Sequence, residues 1–114
     1  MSATRGLAMK RDKRYPDVPP FRLDVRSRTV AINERVVHLT HLEFAVLYAL
    51  MENAPGLVSY ARLLDTIWGS HATEKRNYLR LYVHYLRSKL EDDPSHPMLI
   101  LNERRKGYRL ALPA

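Results

Sequence analysis

The sequence predicts an α+β domain ordered as a small antiparallel sheet, three helices and a terminal β-hairpin. Three observations carry this. Residues 21–39 alternate apolar and polar at period two. Residues 40–90 hold three stretches with helical apolar spacing. Residues 98–112 return to two short apolar runs around a basic turn.

The elements follow in order. Residues 1–20 have little apolar periodicity and end in DVPP, which marks a flexible basic arm or linker ahead of a folded domain at 21–114. Phe21, Leu23 and Val25 alternate with polar residues, a turn falls at Arg26-Ser27-Arg28, and Val30 and Ile32 resume the pattern. A second turn at Asn33-Glu34-Arg35 leads into a third strand over 36–39, making a meander. Thr40 is an N-cap and Glu43 completes a capping box, opening a first helix through LEFAVLYALMENA. That helix is apolar on more than one side, so it is expected at the centre, and Pro55-Gly56 ends it. Ser59 caps a second helix from Tyr60 to Trp68, with Leu63, Leu64, Ile67 and Trp68 as its buried stripe. Gly69 stops it and SHATEK forms a loop. The third helix covers 76–90 and finishes near Asp92-Asp93-Pro94. Two strands, 98–101 and 108–112, flank NERRKG, a hairpin tip whose Gly107 is free to take a positive φ. Two helices joined by a short connection and followed by a basic hairpin describe a winged helix-turn-helix.

Nineteen Lys and Arg against twelve Asp and Glu leave a net charge of +7, which points to a polyanionic partner. The positive charge is concentrated. Residues 1–20, 74–91 and 102–109 each carry a net +3, and the remainder sums to −2. With no cysteine, disulfides and thiolate metal sites are excluded. No apolar run approaches the roughly 20 residues that span a bilayer, so no membrane partner is expected. No phosphate-binding glycine loop, nucleophile elbow or HExxH is present, so neither an enzyme nor a cofactor is expected. His38 and His41 straddle the first helix cap without an obvious third ligand, so no metal site is expected, and His71 and His96 are placed in solvent-facing loops.

The third helix, RNYLRLYVHYLRSKL, separates into faces at roughly 100° per residue. Leu79, Val83, Leu86 and Leu90 fall in one arc, the core seam. Arg76, Asn77, Arg80, His84, Arg87 and Ser88 lie opposite and beside it, with Tyr78, Tyr82 and Tyr85 on the other edge. A solvated helix mixes Glu with Lys, yet no acid occurs between Arg76 and Leu90. Guanidinium groups spaced in this way reach phosphates or bond bidentately to guanine, and Asn77 can pair with adenine in the same manner. Leu81 points nearly away from the core and fits neither surface; a thymine methyl or a neighbouring loop could cover it.

LLDTIWG, NYLRLYVHYLRSKLEDDP and the terminal GYRL resemble the output domain of OmpR/PhoB-type response regulators, most closely the potassium-transport (Kdp) regulators. The resemblance runs from about Phe21 to Leu112. It implies bacterial transcription regulation in the cytoplasm, associated with the nucleoid, by sequence-specific binding of double-stranded DNA. It also implies a four-stranded N-terminal sheet, a third helix in the major groove and a wing reaching the adjacent minor groove. By position it places Asn77, Tyr82, His84, Tyr85 and Arg87 of the helix, and Asn102 and Arg104 of the wing, on DNA. Arg76 and Arg80 join them from the helical wheel, and Arg105 and Lys106 from the charged wing tip. The loop 69–75 is implied to contact RNA polymerase, and tandem homodimers to form on repeated sites. Two departures stand out. Family members have Gly-x-Gly before the wing YR, where this chain reads Arg105-Lys106-Gly107. The basic arm is also too short to hold a receiver, which fits an excised output domain or a free-standing regulator. The alternative function is a protein-interaction module docking on RNA polymerase or another regulator, its DNA affinity incidental.

Overall fold

Strands β1 (Phe21–Asp24), β2 (Thr29–Ile32) and β3 (Arg35–His38) form an antiparallel meander, seen in a computed structural model that describes residues 21–69 and 73–111. The arm at 1–20, loop residues 70–72 and the last three residues lie outside the described residues. Phe21 pairs with Ile32 and Leu23 with Val30, so the period-two residues share one buried face. The turns between strands use positive φ at Arg28 and Asn33, and Asp24 Oδ1 accepts from the amides of Arg26 and Ser27. Among the described residues this sheet has three strands rather than the four implied by the resemblance.

Helix α1 (His41–Asn53) begins at the expected capping box. Thr40 Oγ1 accepts from the Glu43 amide at 3.3 Å, and Glu43 Oε1 accepts from the Thr40 amide at 2.9 Å. Val46, Leu47, Ala49, Leu50 and Met51 are all buried, which makes α1 the central helix. Next come a two-residue strand β4 (Val58–Ser59) and helix α2 (Tyr60–Trp68), whose cap Ser59 accepts from the Arg62 amide. A 3₁₀ turn at Thr73–Lys75 leads into α3 (Arg76–Leu90), where the sequence suggested only loop. The hairpin β5 (Ile100–Glu103) and β6 (Gly107–Leu110) closes the domain.

Strand β4 was not anticipated. It pairs with β6, giving a second sheet in the order β4-β6-β5, with Val58 opposite Tyr108 and Ser59 opposite Gly107. The first wing strand also begins two residues later than its apolar pattern suggested. The reason is Glu91, whose buried carboxylate accepts from the amides of Met98, Leu99 and Ile100 at 2.8–3.0 Å. The Met98 and Leu99 amides are thus taken before the ladder starts at Ile100.

Helix α3 is held at its C-terminal end. Leu79, Val83, Leu86 and Leu90 are buried as the wheel predicts. Lys89 Nζ donates to Glu43 Oε1 at 2.5 Å and to the His38 carbonyl, while Arg35 donates to the carbonyls of Lys89 and Leu90. A cation on the last carbonyls satisfies groups that a helix end leaves orphaned. The N-terminal sheet and α1 thus fix the angle at which α3 leaves the core.

Candidate nucleic-acid interface

Helix α3 and the wing face each other across an open cleft of about 230 Å³ lined by Tyr60, Arg76, Leu79, Arg80, Arg87, Asn102 and Tyr108. Three guanidinium groups and no carboxylate line it. The Arg76 guanidinium lies 4.4 Å from the centre of the Tyr60 ring, a cation–π contact that holds it at the mouth. Tyr60 meets Tyr108 edge to face, with ring centres 5.6 Å apart. Burial, aided by the adjacent Tyr60 phenol, holds the Tyr108 hydroxyl above its ordinary range against the opposing pull of Arg87, Arg80 and Arg76. It therefore stays protonated at neutral pH.

The side chains proposed from the sequence fall into two groups. Arg87 and Asn102 are committed to the fold. Arg87 Nε and Nη2 both donate to the Ile100 carbonyl, at 3.1 and 2.9 Å, and Asn102 Nδ2 donates to Tyr60 Oη and the Gly107 carbonyl. Ile100 is thereby gripped twice from the end of α3, its carbonyl by Arg87 and its amide by Glu91. Tyr82 is half-buried between Trp68 and Tyr85, so it supports the α2–α3 packing. The second group is exposed. Arg76, Asn77, Arg80, His84 and Tyr85 on α3, and Arg104, Arg105 and Lys106 at the wing tip, project to solvent. Among the described residues, Asn77, Arg80 and the three wing-tip cations have no hydrogen-bond or ion-pair side-chain partner. Arg109, by contrast, is paired with Glu103 at 3.0 Å.

The wing turn corrects one expectation. The positive φ falls on Arg105, at 67°, and not on Gly107. The Lys106 amide donates to the Glu103 carbonyl at 2.8 Å, closing a turn whose third residue takes the left-handed conformation. Gly107 is needed for another reason: a Cβ there would run into the Val58 carbonyl and lie 2.8 Å from Ser59 Cα. An L-residue in the left-handed region is strained by about 1 kcal/mol. Arg105→Gly is therefore expected to raise stability by up to about 1 kcal/mol in urea unfolding, because glycine relieves the strain but frees the unfolded chain.

Sequence reasoning missed Tyr60 and Tyr108, which looked like a helix start and a strand residue. Their pairing depends on β4 meeting β6, a contact fifty residues apart in the chain. Lys75, 4.9 Å from the Tyr78 ring centre, was counted only as charge. Among the described residues no group of three or more His, Asp or Glu side chains could hold a metal ion, and no helix is long and apolar enough to cross a membrane.

Comparison with known proteins gives this surface its context. Residues 33–110 match the family described as "Transcriptional regulatory protein, C terminal". The KDP operon regulatory protein KdpE of Escherichia coli is 40% identical over 90 residues, covering 79% of this chain and 40% of its own length. KdpE of Mycobacterium tuberculosis is 42% identical over 89 residues, covering 78% and 39%. The chain thus spans about two fifths of the length of the curated relatives it matches. Among solved structures, the RstA DNA-binding domain of Klebsiella pneumoniae, in complex with RstA box, superimposes with a TM-score of 0.73. It shares 25% identity, covering 83% of this chain and 94% of that one. With two thirds of its residues matched by the family and a winged-helix architecture in common, the chain belongs to the OmpR/PhoB-type transcriptional regulatory C-terminal domains.

Proposed function

We propose that the domain binds double-stranded DNA sequence-specifically in transcription regulation, with α3 in the major groove and the wing tip on the adjacent minor groove or its phosphates. The observation that carries this is the arrangement of cations that have no acidic partner among the described residues. Arg76 and Arg80 edge the cleft between α3 and the wing, Arg104, Arg105 and Lys106 crown the wing, and α3 offers no acid to neutralise them. A B-form major groove is about 12 Å wide and admits one helix, leaving its flanks against phosphates. Arg87 and Asn102 act here as positioning residues: they hold the wing at the angle from which its tip reaches DNA.

Fluorescence anisotropy with labelled duplexes tests the proposal. Neutralising about six to eight phosphates gives a log–log salt slope of roughly −5 to −7. The double variant Arg76→Ala/Arg80→Ala is expected to weaken all duplexes and flatten that slope by about 2. Asn77→Ala is expected to relax preference at one position by about 1–3 kcal/mol. Arg105→Gly should reduce affinity for all sequences even as it stabilises the fold. Salt-independent binding, unaltered by the double variant, would show that the cations do not contact DNA.

Absence of enzymatic activity, a bacterial cytoplasmic and nucleoid location, tandem pairing on repeated half-sites and an RNA polymerase contact through the 69–75 loop belong to the same proposal and rest on family membership. The basic arm would add electrostatic grip.

A further inference from the structure

We propose that Leu81 is a specificity residue that reads the C5 methyl of a thymine, with Tyr85 exposed one turn further along the same face. The inference rests on the placement of α3 in the major groove and names what the centre of its outer face recognises.

The core seam at Leu79, Val83, Leu86 and Leu90 is buried, at 1% exposure or less. At roughly 100° per residue, Leu81 lies about 170° from the middle of that seam, at the crest of the helix. It is 39% exposed and Tyr85 is 40% exposed, so together they form an apolar strip where a solvated helix would carry its most polar residues.

The flanks of the strip identify its occupant. Arg76 and Arg80 stand on the wing side, and Lys75 lies over Tyr78 on the other. A helix seated in the major groove meets a phosphate strand on either flank and base edges at its crest, so cations outside and base-reading groups inside match that partition. A protein partner for an apolar strip bounded by cations would need two acidic borders; duplex DNA supplies them without sequence. Along the crest Asn77 and His84 offer hydrogen-bonding groups, which suit the donors and acceptors of base edges. Leu81 has none to offer. Among the major-groove groups of the four base pairs, the thymine methyl is the apolar one. A leucine there gains affinity by removing that methyl from water.

The test uses the whole chain and a duplex selected from a random library. Each thymine in the protected site is replaced singly by deoxyuridine, which removes the methyl and keeps the pairing and the O4 acceptor. The expected result is one position at which the replacement weakens binding about three- to tenfold, the scale of one buried methyl. Leu81→Ala should weaken the parent site by a similar factor and abolish sensitivity to that one replacement, while Leu81→Met should retain it. Because Leu81 is exposed, circular dichroism of Leu81→Ala should match the wild type. A selected site insensitive to every deoxyuridine, or a sensitivity that persists in Leu81→Ala, overturns the role of Leu81 and leaves DNA binding intact. Failure of any sequence to emerge from selection overturns both.

Discussion

Gly107→Ala is expected to destabilise the domain by about 2–4 kcal/mol, the range of an unrelieved steric insertion into packed backbone. The added methyl would collide with the Val58 carbonyl and crowd Ser59 Cα, and these are backbone atoms rather than the ends of flexible side chains. The neighbourhood has little room to yield. Ser59 pairs with Gly107 and caps α2, and the Tyr60 amide donates to the Lys106 carbonyl at 3.1 Å. Relief requires β4 to part from β6, which also moves Tyr60 away from Arg76 and Asn102. Urea unfolding should show a lowered midpoint with little change in slope, and thermal unfolding a fall of roughly 10–25 °C. An unchanged midpoint would mean that β4 does not hold the wing.

The second large effect is expected from Glu91→Ala. Its carboxylate, 5% exposed, satisfies three successive amides at the entrance to β5. Removing it leaves them with no acceptor from this side chain, and unsatisfied buried donors cost about 1–3 kcal/mol each. Solvent can rescue the exposed Met98 end, so a net loss of about 2–4 kcal/mol is expected. Glu91→Gln should lose less, since one carbonyl oxygen remains to accept. Arg87 holds the carbonyl of the same residue, Ile100, so Arg87→Ala and Glu91→Ala should not add: once one grip on Ile100 is gone, the second has less to hold. A double-mutant cycle in urea measures the coupling. Strict additivity would mean that the two side chains act on independent parts of the wing.

Both predictions concern contacts the sequence concealed, and the reason is range. The capping box of Thr40 and Glu43 and the seam through Leu79, Val83, Leu86 and Leu90 are local patterns, governed by helical periodicity over a few residues. They were legible. Strand β4 is two residues long, and its partner lies near the far end of the chain. No periodicity announces it. The late start of β5 has the same origin, because only the folded position of Glu91 shows that the Met98 and Leu99 amides before Ile100 are taken.

The site was legible as a surface and less so residue by residue. Clustered charge on α3 and the wing identified the cationic face, and the wheel separated it from the core. An arginine committed to a carbonyl has the same letter as one open to solvent, however. Arg87 and Arg80 looked equivalent until the position of Ile100 distinguished them. Asn102 is a similar case, its amide spent on Tyr60 and Gly107. Glycine was likewise visible at 107, but its purpose was misjudged: close approach of β4, while Arg105 takes the left-handed turn.

If α3 reads bases, the domain must prefer one duplex over others, and a competition titration measures that preference. The 114-residue chain would be bound to a duplex selected from a random library, then challenged with random duplex at near-physiological salt. A preference of about a hundredfold or more for the selected duplex is expected, shrinking in Asn77→Ala and Leu81→Ala while the salt slope stays the same. Equal affinity for selected and random duplex, with one salt slope for both, would contradict it.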